Sequence, residues 1–268
     1  MEKKQVDLYD GTYGRFNEQL LAEIRSKAFG NDIGQNSWIT DVEMRRLLQS
    51  LALSPSSTLL EVACGSGGPA LFIAKTFGCK ICGIDSNLNG ISTAQEAASA
   101  SNLSNQASFQ VADANAQLPF EAQTFDAIVC MDAVNHFSNR SHILTEWHRL
   151  LKRTGRFLYT DPIVVTGPLT NEEIAIRSSI GFFLFVPQKA NENWIKEADF
   201  HLVHVEDVTD DAARIAKQWH DARAARENEL LVLEGEKRFK GLQSFFNVVF
   251  TLYQERRLSR YAFIGEKL

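Results

Sequence analysis

The centre of the chain alternates short apolar runs with longer segments whose apolar residues recur at helical spacing. The short runs have the length of buried strands and lie at 59–62, 80–85, 107–111, 125–131 and 155–160. Segments with the period of amphipathic helices lie at 93–100 and 142–151. Because strands that alternate with helices build parallel sheets, this region predicts an α/β sheet with helices on both faces.

The two ends of the chain show other patterns. Apolar stripes predict helices over 13–28 and 40–52, and the Gly- and Asn-rich loop between them, 29–38, is either a ligand-holding loop or an ordinary connector. Beyond residue 165 the pattern predicts short helices at 172–179 and 191–198 around an aromatic run at 182–186, a strand at 201–205, long helices at 209–228 and 237–256, and a last strand at 261–264. The chain therefore divides into an N-terminal helical cap (1–52), a ligand-binding core (53–165), a helical lid insertion (166–200) and a C-terminal completion of the sheet (201–268).

Composition narrows the classes of function. With 268 residues, 44% of them hydrophobic, the chain can bury the core of one large domain. A formal net charge of -5 with a pI near 5.7 disfavours nucleic acid and anionic membranes as partners, so we expect a small-molecule substrate. Neither a signal-type apolar run near residues 1–5 nor a membrane-spanning run is found, which predicts a cytoplasmic protein. The oligomeric state stays open, with a homodimer among the alternatives.

A glycine-rich turn follows the first strand, in the segment L-L-E-V-A-C-G-S-G-G-P-A at 59–70. Gly65 and Gly67 allow backbone torsions and close ligand approach that a Cβ atom would forbid, and Ala70 lets the next helix pack close to the sheet. A strand, a glycine turn and a helix in this order are typical of a nucleotide site.

Two acids follow at the ends of the next two strands. Asp85 ends the second strand, where a carboxylate can accept hydrogen bonds from ribose hydroxyls. Asp113 lies just past the third strand, where a carboxylate can accept from the exocyclic amine of adenine. The turn and Asp85 alone fit NAD as well as other adenosine ligands, but the second acid favours an adenosine without a pyrophosphate.

Five segments, taken together, resemble in order and spacing those of class I S-adenosylmethionine-dependent methyltransferases: 61–68, 83–85, 112–114, 125–129 and 151–156. The resemblance covers roughly residues 55–165, and each motif alone would be weak. It implies an enzyme that uses S-adenosyl-L-methionine as its cofactor. It also implies a Rossmann-like, seven-stranded, mostly parallel sheet whose last strand, here 261–264, runs antiparallel between its neighbours.

The resemblance also implies roles for individual residues. Gly65 and Gly67 would lie against the methionine and ribose portion of the cofactor, Asp85 would bind the ribose hydroxyls, and Asp113 would hold the adenine amine. The Ala114 backbone amide would face a ring nitrogen, and Glu61 would orient the glycine loop near the cofactor's amino group. The predicted cofactor set is completed by neighbours of these residues, Ala63, Ser86 and Met131.

His136, after the fourth strand, is the best candidate for a catalytic base among six histidines, with a structural loop histidine as the alternative. Its segment D-A-x-x-H and the loop at 29–32 resemble those of phosphoethanolamine and sarcosine/dimethylglycine N-methyltransferases. Ile33 stands where the phosphoethanolamine enzymes carry a catalytic tyrosine, which puts that substrate in doubt. Arg177 is interpreted as a solvated surface residue in preference to a partner for a substrate carboxylate.

The reaction expected is in-line transfer of a methyl group to an amine or hydroxyl of a small molecule. No H-E-x-x-H or comparable spacing is present, so no metal is expected. The alternatives are a nucleic-acid or protein methyltransferase, an NAD-dependent oxidoreductase and a non-catalytic S-adenosylmethionine-binding module.

Overall fold

A mixed sheet forms the centre of the protein in the computed structural model, which describes residues 12, 13, 15, 16 and 18–268. Its strands are β1 (Thr58–Val62), β2 (Lys80–Asp85), β3 (Ala107–Val111), β4 (Phe125–Cys130), β5 (Leu151–Val165), β6 (Val186–Pro187), β7 (Phe200–Asp207) and β8 (Leu258–Lys267). The order across the sheet is β3-β2-β1-β4-β5-β8-β7, and the short β6 pairs with β5 beside this path. Strands β1 to β5 pair in parallel, whereas β8 runs antiparallel between β5 and β7. The Rossmann-like sheet with an inserted antiparallel last strand is therefore confirmed.

The described residues form ten α-helices, which are α1 (Gln19–Phe29), α2 (Asp41–Leu48), α3 (Gly68–Phe77), α4 (Leu88–Ala100), α5 (Arg140–Leu150), α6 (Asn171–Arg177), α7 (Ala190–Glu197), α8 (Thr209–Ala224), α9 (Glu227–Glu234) and α10 (Glu236–Gln254). Side-chain oxygens begin several of them: Thr40 accepts from the Glu43 amide before α2, and Asn87 from the Gly90 amide before α4. Such caps satisfy backbone donors that the first helical turn leaves without partners.

The alternation of side chains along β1 explains why both faces of the sheet are covered. Leu59 joins a buried cluster with residues of α2, α3 and α4, whereas Leu60 joins a second cluster with residues of α5 and α7. A third cluster packs α8 and α10 against Phe29, the last residue of α1, and Trp38 of the loop that follows it. The carboxyl ends of the parallel strands are left at one edge, where ligands of open α/β sheets bind.

The last strand is longer than its apolar run predicts. The predicted last strand was 261–264, but β8 already begins at Leu258 and includes buried Ser259 and Arg260. Polar residues of this kind end an apolar run in the sequence, yet Arg260 is buried here because it forms ion pairs with Asp132 and Glu43. The N-terminal helix predicted over 13–28 includes residues 14 and 17, which lie outside the described part of the chain; within that part, helix α1 starts at Gln19.

The segment predicted as a lid lies between β5 and β7 and carries α6, β6 and α7. Its aromatic run divides among three environments: Phe182 lines a large cavity, Phe183 lines a smaller one, and Phe185 packs against the third cluster. The predicted boundary after 165 coincides with the end of β5, and the four-unit division stays a prediction. No helix in the described residues is long and apolar enough to cross a membrane.

Candidate functional site

A cavity of about 700 Å³ opens at the carboxyl ends of β1, β2 and β4. It is lined by nine of the ten residues that the sequence nominated: Glu61, Ala63, Gly65, Asp85, Ser86, Asp113, Ala114, Met131 and His136. They come together because parallel strands end at the same edge of the sheet, so residues that follow successive strands become neighbours.

The glycine turn has the left-handed backbone expected of it. Gly65 and Gly67 have φ of +53° and +76°, and Ala63 has φ of 59° without being a glycine. Gly67 is the nominated residue that does not line the cavity. A Cβ atom there would lie 2.7 Å from the Cβ of Ala94 and 3.0 Å from the Phe109 ring, so its geometry supports packing of α3 against the rest of the fold.

The carboxylates of Asp85, at the end of β2, and Asp113, just past the end of β3, both accept hydrogen bonds from backbone amides. Asp85 Oδ2 accepts from the Gly65 amide at 2.9 Å, and its Oδ1 accepts from the Asn87 amide at 2.8 Å, which fixes the glycine turn to the end of β2. Asp113 Oδ1 accepts from the backbone and side-chain nitrogens of Asn115, at 2.9 and 3.0 Å. Each carboxylate has four lone pairs, so these contacts leave acceptor capacity toward the cavity.

Glu61 is the most perturbed acid of the cavity. It is 2% exposed, and its Oε2 atom has no hydrogen-bond partner among the described residues. Burial raises its pKa to about 8, with a further contribution from the charge of Asp85. A carboxylate so placed is stabilised in its ionised form by a cation.

The charge of the whole cavity is of one sign. Four carboxyl side chains line it, those of Glu61, Asp85, Asp113 and Asp132, and no Lys or Arg of the described chain does. S-adenosylmethionine carries a sulfonium and an ammonium group and no phosphate, so the cavity fits this group. The pyrophosphate of NAD would meet only like charge there.

His136 lies at the edge of this cavity. Its Nδ1 atom is 2.8 Å from the carbonyl oxygen of Phe182. A carbonyl can only accept, so Nδ1 carries the proton and Nε2 is the acceptor nitrogen. Burial, with a smaller contribution from the nearby Arg177 cation, lowers the pKa of His136 to about 4. The imidazole is therefore neutral at physiological pH.

Asp132 is a site residue that the sequence did not nominate. It follows β4 with φ of 55°, a conformation that aspartate tolerates better than most residues. Its Oδ2 accepts from the Trp38 amide at 2.8 Å, and its Oδ1 accepts from Arg260 Nε at 2.7 Å. Asp132 thus attaches the N-terminal loop to the sheet edge beside the cavity.

The loop at 29–38 covers the glycine turn. A Cβ atom on Gly68 would lie 2.3 Å from the Ile33 carbonyl oxygen, so only a glycine allows this approach. Asn36 and Ser37 of the loop line the cavity. Of the two interpretations of this segment, the contacts favour a ligand-holding loop.

A second cavity, of about 120 Å³, shares Asn36, Ser37, Asp132, His136 and Ile180 with the first. Its other walls come mainly from α1, α8 and α10. Arg177 lines it and is 1% exposed, so the interpretation of this arginine as a solvated surface residue is wrong. The burial arises because the segment 177–183 folds back onto α10, which lies far away in the sequence. No group of three or more His, Cys, Asp or Glu side chains in the described ranges is arranged to hold a metal ion.

The fold and this site define the class of protein: a class I methyltransferase fold with a cofactor cavity at the sheet edge. The model of a family described as "Methyltransferase domain" matches residues 60–159. The chain contains such a domain, and the predicted methyltransferase family, with S-adenosylmethionine as its cofactor, is confirmed.

Relatives agree with this assignment. The methyltransferase GfsG of Streptomyces halstedii is 28% identical over 171 residues, which are 62% of this chain and 60% of that protein. Phosphoethanolamine N-methyltransferase 2 of Haemonchus contortus, solved with phosphomonomethylethanolamine and S-adenosylhomocysteine, superposes with a TM-score of 0.81 at 20% identity, covering 97% of this chain and 59% of that one. The [4+2]-cyclase SpnF has a TM-score of 0.73 at 21% identity and covers 96% and 94%. At such identities the structures show the fold alone, and the chain spans between about a third and three fifths of the length of the curated relatives it matches.

Proposed function

We propose that the whole protein transfers the methyl group of S-adenosylmethionine to an amine or hydroxyl of a small molecule. The observation that supports this best is the pairing of an anionic cavity, suited to a sulfonium cofactor, with a second cavity that meets it at His136. The relatives include enzymes named for small acceptors, among them the phosphoethanolamine N-methyltransferase.

In this proposal the cofactor lies along the strand ends. Glu61 pairs with its amino group, and Gly65 and Ala63 allow the methionine portion to approach the backbone. Asp85 and Ser86 take the ribose hydroxyls. The adenine is held by Asp113 and the Ala114 amide, and Met131 packs against the cofactor from β4. Gly67 supports this set indirectly, because its lack of a Cβ atom allows close packing against Ala94 and Phe109.

Methyl transfer requires that the acceptor atom be placed in line with the methyl group and shielded from water. A lone pair of the acceptor nitrogen or oxygen forms the new bond to the methyl carbon, while the carbon–sulfur bond breaks and its electrons return to sulfur. S-adenosylhomocysteine leaves as a neutral thioether, and the acceptor loses a proton. Neutral His136 can accept a hydrogen bond from the acceptor, which orients the lone pair; its low pKa makes it a weak base, so water takes the proton finally.

The cofactor half of the proposal is tested by titration calorimetry with S-adenosylhomocysteine and, separately, with NAD. We expect S-adenosylhomocysteine to bind and NAD to give no binding heat. Binding of NAD without binding of S-adenosylhomocysteine would overturn the proposal. Catalysis is tested with methyl-labelled S-adenosylmethionine and a metabolite extract, followed by mass spectrometry. Cofactor binding without any labelled product across amines, phenols and acids would favour the non-catalytic alternative.

The remaining assignments rest on composition. The formal charge of -5 supports a small-molecule partner over nucleic acid. All four cysteines, Cys64, Cys79, Cys82 and Cys130, are free thiols, which supports the expected cytoplasmic location. The oligomeric state, with a homodimer among the alternatives, is tested by gel filtration with light scattering.

A further inference from the structure

One buried arginine differs from the others in its surroundings. Five arginines are buried in the described chain, and four of them form ion pairs with carboxylates: Arg25–Asp32, Arg140–Asp161, Arg223–Glu234 and Arg260–Asp132. Arg177 is 1% exposed, and its Nε and Nη1 atoms have no hydrogen-bond partner among the described residues. The fold thus places one cation in its interior without an anion.

The groups around Arg177 stabilise a charge without cancelling it. Its Cζ lies 4.5 Å from the ring centre of Phe183 and 5.1 Å from that of Phe245, distances at which a cation is attracted to an aromatic face. The neighbouring Tyr253 hydroxyl donates to the Pro162 carbonyl at 2.6 Å, and burial keeps the pKa of Tyr253 well above its ordinary value, so this neighbour is neutral. A guanidinium does not lose its proton in proteins. An anionic ligand would remove the mismatch.

The cavity that contains Arg177 has aromatic walls. Trp38, Trp219 and Phe246 line it. The ring centre of Phe246 lies 6.1 Å from that of Trp38 and 5.0 Å from that of Trp219. The volume of about 120 Å³ limits the occupant. A dry apolar cavity of about 150 Å³ accommodates benzene, so this space holds a group of about one ring.

The two cavities have opposite requirements for charge. The larger is lined by four carboxyl side chains and no Lys or Arg, so it suits a cation. The smaller is lined by Asp132, Glu234 and four arginines, of which Arg177 is the one without a carboxylate partner among the described residues. The two cavities meet at His136, whose ring centre lies 4.7 Å from that of Phe183, the ring that also contacts Arg177. Arg177 is therefore one aromatic ring away from His136, close enough for a small acceptor to contact Arg177 and reach into the cofactor cavity.

We infer that the acceptor is a small aromatic carboxylic acid, bound with its ring among Trp38, Trp219 and Phe246 and its carboxylate on Arg177. This inference rests on the proposed function and adds the substrate class. A single guanidinium neutralises a single negative charge, so a carboxylate suits this site better than a phosphate dianion. The methylated amine or hydroxyl is then the group of this acid that reaches past His136 into the cofactor cavity.

Benzoate, benzamide and phosphoethanolamine are the probes for this site, in titrations of the full chain saturated with S-adenosylhomocysteine. Benzoate should bind at least about tenfold more tightly than benzamide, its neutral counterpart of the same shape, because a hydrogen bond to a charged group contributes more than one between neutral groups. Equal binding of the two would overturn the inference. So would tighter binding of phosphoethanolamine, which lacks a ring.

Substitutions then attribute the effect to Arg177. Arg177→Met keeps the unbranched apolar stem of the side chain and removes the charge, so it should weaken benzoate binding about 10- to 100-fold, while Arg177→Lys should retain part of it. The matched control is Arg45→Met: Arg45 lies 4.5 Å from the ring of Phe72 but on the surface, so the change should leave benzoate binding unaltered. Unchanged benzoate affinity in Arg177→Met would refute the assignment.

Cofactor binding separates failure of this inference from failure of the proposed function. S-adenosylhomocysteine affinity and the far-ultraviolet circular dichroism of each variant should match the wild type, which shows that the fold persists. Wild-type protein that binds S-adenosylhomocysteine but not benzoate refutes the substrate class alone. Protein that does not bind S-adenosylhomocysteine refutes the proposed function as well.

Discussion

The ionisation of Glu61 gives the sharpest test of the cofactor site. Without ligand, burial holds its pKa at about 8, so at pH 7 only about one tenth of the molecules carry the charge. The amino group of S-adenosylhomocysteine is protonated at this pH, and its ion pair with Glu61 requires the ionised carboxylate. Binding must therefore expel a proton from Glu61.

The magnitude follows from this linkage. As pH rises from about 6 to 7, the ionised fraction of Glu61 rises about tenfold, and the dissociation constant should fall by about the same factor. At pH 7 nearly one proton should be released for each ligand bound. Glu61→Gln cannot ionise, so it should bind about tenfold more weakly at pH 7 and show no pH dependence of affinity in this range.

Titration calorimetry measures both quantities. Affinities measured at several pH values give the dependence of the dissociation constant on pH. Repeating the titration in buffers of different ionisation enthalpy gives the number of protons released on binding. The control is Glu96→Gln on the exposed face of α4, which should behave as the wild type. A wild-type affinity that stays constant from pH 6 to 7, without proton release, would refute the pairing of Glu61 with the amino group.

Three further predictions concern the surroundings of the site. Asp132→Asn should lower the free energy of unfolding in urea by about 3 kcal/mol because it breaks a buried ion pair, whereas exposed Asp211→Asn should change it by less than about 1 kcal/mol; similar effects would contradict this account. Gly67→Ala should lower the Tm more than Gly30→Ala. Both glycines have φ near +80°, at +76° and +79°, but only at Gly67 would the new methyl group meet other atoms. Equal decreases in Tm for the two variants would refute the packing role of Gly67. His136→Ala should lower kcat more than S-adenosylhomocysteine affinity, and the wild-type rate should show no histidine titration near pH 6.5 because the ring's pKa is about 4.

The cofactor cavity could be predicted from sequence because its determinants are local. The nominated acids lie within or just after apolar runs, and the ends of the parallel strands fix their positions at the sheet edge. Asp85, for example, reaches the Gly65 amide because β1 and β2 are adjacent and in register, with Val62 beside Ile84. The path of the chain between these strands has little influence on that contact.

The residues proposed to surround the acceptor are positioned by residues that are distant in sequence. Asp132 meets Arg260 across 128 positions and Trp38 across 94. An isolated arginine in a helix rich in acids, such as Arg177 in α6, has the local pattern of a surface residue. Its burial arises only when α10 brings Phe245 over it, and no periodicity in the sequence records that contact.

The opposite charge preferences of the two cavities bear on how an acceptor enters productively. If its carboxylate lay in the cofactor cavity, it would face four acidic side chains, and Arg177 would keep its unpaired charge. The reverse orientation satisfies Arg177 and leaves the cofactor's positive sulfur next to an uncharged nucleophile. Electrostatics therefore selects one orientation of the acceptor before any specific contact at the reacting atom forms. Since in-line displacement requires the nucleophile to face the methyl group, this selection contributes directly to the rate.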